Sequence, residues 1–304
     1  MANPAYVAVD WGTSSFRLWL MARDGSVLAE RRSGEGMTSA AKTGFSTVLS
    51  SHLAAIEAPE NLPVVVCGMA GARQGWVEAG YIDVPAPLAS ILTAAVRVAG
   101  ESRDIRILPG LAQRQTATPD VMRGEETQLL GALGGRSVGP QAVCMPGTHS
   151  KWVHVTDATV TGFSTFMTGE LFDAISKHTI LSHAVAGAQE QPADAAAFEA
   201  AVSAAFARPA FASNLLFTAR SGQLLHGISA AAAQARLSGT LIGLEIAGAL
   251  QDAANSGITL VASGRLRALY EQAFKTLSLA FTAIDADEAV RRGLSAAAEA
   301  IWPN

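Results

Sequence analysis

The stretch Tyr6-Val-Ala-Val-Asp-Trp-Gly-Thr-Ser-Ser-Phe-Arg-Leu-Trp-Leu20 constrains the fold more than any other. Val7 and Val9 alternate with small residues before Gly12, and Phe16, Leu18 and Leu20 alternate after it. Alternation with period two on both sides of a short turn predicts two antiparallel strands. Arg23-Asp24-Gly25-Ser26 is a second turn signal, and residues 27–31 suit a third strand. The pattern then returns. Residues 142–155 read as strand, Gly-Thr turn, strand, and a shift of 135 positions lays Gly12 on Gly147, Thr13 on Thr148 and Ser15 on Ser150. A third strand, 159–166, follows the turn at Asp157-Ala158. The chain is therefore read as two copies of a βββ unit, each opening one half of the molecule.

The segments between and after the copies fix the class. Residues 63–67 form a continuous apolar run of strand length, as in a strand covered on both faces. Short strands are also read at 105–108, 258–262 and 279–284. Helices are read at 43–56, 87–98, 169–177, 193–206, 211–225, 227–236, 239–250, 266–275 and 286–301, with Ser238 as the cap of the helix at 239–250. Strands alternating with helices give an α/β class. A length of 304 residues favours two domains, and Gly134-Gly135-Arg-Ser-Val-Gly139-Pro140 is the best boundary, giving domains 1–135 and 136–304.

Composition removes several function classes. The net charge is −4 with Lys and Arg scattered, so nucleic acid is not an expected partner. The apolar fraction is 49%, yet no uninterrupted run reaches membrane-spanning length. The first residues lack the basic and apolar regions of a signal peptide. Cys67 and Cys144 lie in apolar runs and read as small buried hydrophobes. A reducing, cytoplasmic setting is the expectation.

The turns carry the chemistry. Asp10, Gly12, Thr13 and Ser14 bring together one carboxylate, one glycine and hydroxyls. Successive N–H groups and hydroxyls can cradle a phosphate. A carboxylate there requires a cation between it and the phosphate, and Mg²⁺ suits one carboxylate plus waters and phosphate oxygens. Taken alone, the stretch fits an ordinary hairpin with a polar tip equally well. The second turn has no such aspartate, because Pro146 precedes Gly147. Glu125 and Glu126 open a helix, where two acids also simply complement the helix dipole. Arg17, Arg73 and Arg220 could grip an anionic substrate or form ion pairs, and Trp11 and Trp76 could wall a pocket or pack.

The order of the motifs is more specific than any one of them. A hairpin with Asp-x-Gly-Thr, a second with Gly-Thr, and a late strand-Gly-helix at Ser263-Gly264-Arg265 resemble the actin-like ATPase superfamily. Gly124-Glu125-Glu126-Thr-Gln-Leu-Leu-Gly-Ala-Leu resembles the acidic segment of carbohydrate kinases related to glycerol kinase. Cys67-Gly-Met-Ala-Gly-Ala-Arg73 resembles their sugar-binding loop. Val-Asp-Trp-Gly-Thr-Ser-Ser-Phe-Arg-Leu-Trp, Arg-Gly-Glu-Glu-Thr-Gln, Pro-Gly-Thr-His-Ser-Lys-Trp, Thr-Gly-Glu-Leu-Phe and Ala-Ser-Gly together resemble the 2-keto-3-deoxygalactonate kinase family across nearly the whole chain.

That resemblance implies a two-domain, ribonuclease H-like fold with a duplicated βββαβα-type core and an ATP site in the interdomain cleft. It implies ATP and Mg²⁺ as cofactors and a sugar acid, 2-dehydro-3-deoxy-D-galactonate, as the substrate phosphorylated on its 6-hydroxyl. Glu125 would be the base, with Glu126 as the alternative, and Asp10 the metal residue. Gly12, Thr13, Ser14, Gly147, Thr148 and His149 would hold phosphates, and Ser263, Gly264 and Arg265 the adenosine. Arg17, Gly68, Met69, Arg73, Trp76 and Lys151 would contact the substrate. A homodimer is compatible with the sequence. The competing readings are a kinase for a related sugar or sugar acid, such as the gluconate epimer, and a non-kinase actin-like nucleotide-binding regulator.

Overall fold

The computed structural model describes residues 3–134, 139–251 and 257–303. Its contacts group the chain into two units. One comprises Met1–Gly139, His154–Phe163 and Ile284–Asn304, and the other Pro140–Val153 and Ser164–Ala283.

In the first unit the strands Pro4–Trp11, Phe16–Ala22 and Val27–Ser33 form the antiparallel meander that the alternation predicts. On its other side Pro4–Trp11 pairs in parallel with Val64–Gly68, followed by Ile105–Ile107 and Val96–Arg97. Alternate residues of the first strand serve opposite faces. Val7, Val9 and Trp11 pack with Phe16, Val48, Leu49 and Val66. Tyr6 and Ala8 pack with Trp19, Cys67 and, from the helix Ala286–Ile301, Val290 and Leu294. Both faces are covered, which is why residues 64–68 are buried without interruption.

The helix Ala286–Ile301 forms where residues 286–301 predict it, capped by the Asp285 carboxylate. Its place is not the predicted one. A Cβ on Gly131 would overlap the Ala289 carbonyl, and one on Gly293 the Thr127 carbonyl. These two glycines let the helix cross Glu125–Leu133 at backbone contact, so residues 284–304 belong to the first unit rather than to a domain 136–304. The proposed cut between 135 and 136 lies outside the described residues.

A second sheet repeats the first one in topology. The strand order Val27–Ser33, Phe16–Ala22, Pro4–Trp11, Val64–Gly68, Ile105–Ile107 is matched by Thr159–Phe166, Ser150–Thr156, Pro140–Met145, Gly257–Val261, Phe281–Ile284. Pro140–Met145 and Gly257–Val261 are again parallel. Cys144, Trp152, Phe198, Ile242, Leu260 and Phe274 lie in its core.

Several elements depart from the sequence reading. The two helices expected at 227–236 and 239–250 are one, Ala230–Ala249, and Ser238 lies inside it; Ser229 caps it through the Ala232 N–H at 3.1 Å. Gly239 and Gly243 are not breaks. A Cβ at either would stand 2.5 Å from the carbonyl oxygen of Phe198 or Val202 on the neighbouring helix Ala195–Ala207. Close helix packing there outweighs the glycine penalty of about 1 kcal/mol per residue. The helix expected at 87–98 is a short strand Ala86–Pro87, one turn Ser90–Thr93 and a strand Val96–Arg97, because Ala86 pairs with Val160 and Arg97 with Arg106. A sheet of Tyr81–Asp83, Gly110–Gln113 and Asp120–Met122 was not legible, since strands of three or four residues carry too little pattern. Among the described residues no single helix is long and apolar enough to cross a membrane.

Candidate active site

The first Gly-Thr turn is closed by the Gly12 N–H donating to the Ser15 carbonyl at 2.9 Å. The helix Met37–Thr43 starts directly beneath it. Met37 and Thr38 donate their N–H groups to the Gly12 and Thr13 carbonyls at 2.9 and 3.1 Å. Gly36 makes this possible, because a Cβ there would stand 2.5 Å from the backbone of Thr13, Ser14 and Ser15. Thr13 and Ser14 remain exposed at the tip.

Asp10 lies one residue before the strand end and is nearly buried. It sits opposite Arg17 in the antiparallel register, and the two form an ion pair. Arg17 pairs also with Asp287, at the start of the terminal helix. Burial pulls the Arg17 pKa down, but the two carboxylates outweigh it and hold it above its ordinary value. The Cys67 thiol faces Asp10 at 3.8 Å, and burial, then the charges of Asp10 and Glu126, push it well above the usual thiol range.

Three chain segments meet at the end of this strand. Gly68 has φ +90°, and a Cβ on it would stand 2.6 Å from the Trp11 carbonyl oxygen and 3.4 Å from Asp10 Oδ1. Gly124 has φ +104°, and a Cβ on it would reach Gly68 Cα at 3.4 Å. Both backbones adopt a conformation that favours glycine. The junction sets the start of Glu125–Leu133 against the strand end that carries Asp10. The two acids of that helix then differ. Glu125 is half-buried and accepts the Arg123 backbone N–H at 3.1 Å. Glu126 is wholly buried and accepts the Gly124 N–H at 2.7 Å and the Thr127 hydroxyl at 3.1 Å. Burial, then the neighbouring Glu125 charge, raise its pKa to about 8.

Of the other first-unit candidates, Met69 opens the turn Met69–Gly71 that follows Gly68. Trp76 stacks on Phe45 with ring centroids 6.0 Å apart and meets Trp11 edge-on, so both tryptophans pack against the core. The Arg73 side chain is 87% exposed and stands 3.7 Å from Glu78.

In the second unit the Gly147 turn has a comparable support. Glu170 donates its N–H to the Thr148 carbonyl at 3.0 Å, and a Cβ on Gly169 would stand 2.5 Å from the Gly147 carbonyl oxygen. Behind the turn runs a buried chain of polar groups. The Gly147 N–H faces Ser150 Oγ at 3.5 Å, Ser150 Oγ lies 3.2 Å from the Tyr270 hydroxyl, and Tyr270 donates to Glu245 at 2.6 Å. Trp152 Nε1 donates to the other Glu245 oxygen at 2.8 Å. Burial holds the Glu245 pKa above the usual carboxylate range, although these donors pull it down. Glu245 was not read from the sequence, where a lone acid within an apolar helical run was the signal.

His149 is exposed beside Glu170, at 2.5 Å. Lys151 is buried, with its ammonium donating to the Thr165 hydroxyl at 2.7 Å. Gly264, φ +58°, follows Ser263, the cap of the helix Gly264–Thr276. Gly147, Gly169, Leu241, Ile242, Arg265 and Leu266 are among the residues lining one cavity of about 240 Å³. The Gly147 turn and the Gly264 turn, 117 residues apart by number (264 − 147), thus share one largely apolar chamber.

The profile of the family described as 2-keto-3-deoxy-galactonokinase matches residues 10–297. The chain belongs to this family. The match runs from the first turn into the terminal helix. A relative from Rhizobium meliloti (strain 1021), designated a probable 2-dehydro-3-deoxygalactonokinase, is 64% identical over 98% of each chain. The 2-dehydro-3-deoxygalactonokinase of Escherichia coli (strain K12) is 36% identical over 97% of this chain and 98% of its own. A crystal structure of a Sinorhizobium meliloti protein assigned to the same activity superposes with a TM-score of 0.94 at 63% identity, covering 98% of this chain and 100% of that one. Component A of the (R)-2-hydroxyglutaryl-CoA dehydratase of Acidaminococcus fermentans has a TM-score of 0.53 at 12% identity, covering 99% of this chain and 100% of its own, and shares the fold alone.

Proposed function

We propose that the chain transfers the γ-phosphoryl group of ATP to the 6-hydroxyl of 2-dehydro-3-deoxy-D-galactonate. The observation that carries this reading is the Gly68–Gly124 junction, which sets the acidic helix start against the strand end bearing Asp10 in a member of this family. Phosphoryl transfer asks a protein for positioning and charge neutralisation more than for covalent chemistry. Glu125 orients the acceptor hydroxyl and takes its proton as the bond to phosphorus forms. Its half-buried position suits this better than Glu126, whose wholly buried carboxyl has a pKa raised to about 8 and serves to pin the Gly124 turn.

In the first unit Gly12, Thr13 and Ser14 are the residues suited to hold phosphate oxygens; in the second unit, described by itself, they are Gly147, Thr148 and His149. Ser263, Gly264 and Arg265 hold the adenosine at the apolar chamber of the second unit. Gly68 and Met69 line the acceptor side. The donor set fits Mg²⁺ rather than a metal caged by protein. Among the described residues no group of three His, Cys, Asp or Glu could hold a metal. One carboxylate, Asp10, with phosphates and waters completing the shell, is the pattern Mg²⁺ takes. When bound, the cation supplies neutralisation of phosphate charge; Arg17 fixes Asp10 in direction through their ion pair.

The test is ADP release, measured with a coupled assay against 2-dehydro-3-deoxy-D-galactonate, its gluconate epimer and free sugars. The galactonate acid should be turned over best. Absence of turnover with every acid would refute the reading.

A further inference from the structure

A sugar-acid kinase must hold a carboxylate, and the arginines first suspected of doing so are otherwise engaged. Arg17 is shared by Asp10 and Asp287, Arg73 is exposed beside Glu78, and Arg220 donates to Gln223 at 2.7 Å. Arg123 differs from all three. Its Nε and Nη1 are buried and have no hydrogen-bond partner among the described residues. Its guanidinium lies over the Tyr81 ring, 4.4 Å from the centroid. A ring face attracts the charge but offers no lone pair in the plane of the N–H groups. A buried charged donor without an acceptor is costly.

The surroundings are shaped around this group. A Cβ on Gly71 would stand 2.9 Å from Arg123 Nη1, so the glycine of the loop after Val64–Gly68 leaves the guanidinium its room. The backbone N–H of the same residue holds the Glu125 carboxylate at 3.1 Å. Side chain and main chain of Arg123 therefore point at two needs of one substrate. We infer that the Arg123 guanidinium binds the C1 carboxylate of the acceptor, supplying charged N–H donors that are still without an acceptor. Tyr81 supports the guanidinium plane, and Gly71 gives it space. Arg123 thereby selects acids over neutral sugars, while Glu125 acts at the far end of the same molecule. This inference rests on the sugar-acid kinase reading above.

The test compares wild type, Arg123→Met and Arg123→Lys, with the acid and with its C1 carboxamide as acceptors. Arg123→Met should raise KM for the acid by about 100-fold, the scale of losing a buried charge-paired contact, and leave KM for ATP unchanged. Arg123→Lys should recover part of the loss. Wild type should handle the carboxamide as poorly as Arg123→Met handles the acid, and Arg123→Met should no longer distinguish the two. A folded Arg123→Met enzyme with normal KM for the acid overturns the inference, as does one that loses affinity for ATP instead. If Arg123→Met does not fold, the lysine variant and the carboxamide decide. Wild type inert towards every sugar acid would instead sink the reading of the function itself.

Discussion

The two Gly-Thr turns are built alike and backed differently. Each joins two strands, and each rests on a glycine at the start of the next helix, Gly36 or Gly169. Each receives helix N–H groups on its carbonyls, from Met37 and Thr38 or from Glu170. Behind the first stand charges: Asp10, Arg17 and Asp287. In the shifted register Asp10 falls on Met145 and Arg17 on Trp152. The second turn accordingly has no ion pair at those places; its support is the buried hydrogen-bond chain through Ser150, Tyr270 and Glu245. The backbone cradle is alike in both, because it depends on glycines and main-chain groups. The side chains behind the turns differ: ion-paired charges in the first unit, a buried hydrogen-bonded chain in the second.

The largest expected effect lies on the charged side. Glu125→Gln should lower kcat by at least about 100-fold with acceptor KM nearly kept, since a general base contributes roughly 10²–10⁴-fold. Near-normal turnover would show that the base is elsewhere. Next come the paired substitutions Gly36→Ala and Gly169→Ala. Each forces a Cβ to 2.5 Å from turn backbone, costing about 1–3 kcal/mol of stability and up to about 100-fold in kcat/KM through misplacement. Chemical denaturation and kinetics on both variants would test the symmetry. If only one variant suffers, the turns are not equivalent seats.

Glu245→Gln should have a smaller effect. It keeps the shape but sets an amide donor against Tyr270 or Trp152, costing about 1–3 kcal/mol. ATP KM should rise by about 3–10-fold, with kcat kept, and a change confined to kcat would move Glu245 to the chemical side of the comparison. The smallest effect is on pH dependence. Glu126 binds its proton more tightly folded than unfolded, because its pKa rises from 4.5 to about 8. Stability from this group is present below its unfolded pKa and is lost as pH rises through its folded one. Thermal unfolding of wild type should therefore weaken across that window, and Glu126→Gln should flatten the slope by several degrees. An unchanged slope would mean that another group, such as Glu245 with its pKa raised in the same direction, dominates.

The sequence determined the parts whose signal is local. Two strands around Gly12 and two around Gly147 follow from period-two alternation, and the buried run at 64–68 follows from continuous apolarity. The helix Ala286–Ile301 was legible to the residue. Asp10, Gly12, Gly68, Gly124 and Glu125 could be picked out because turns and helix starts advertise their residue types in order. Only the tertiary structure decided which unit the terminal helix joins, because that depends on Gly131 and Gly293 meeting backbone from another segment. It alone showed Ser238 to be interior to a helix and Arg17 to be already neutralised. It alone left Arg123 Nε and Nη1 without an acceptor among the described residues. An amino-acid type states what a group can bond; whether the bond is already made depends on neighbours distant in the chain, and burial sets what an unmade bond costs.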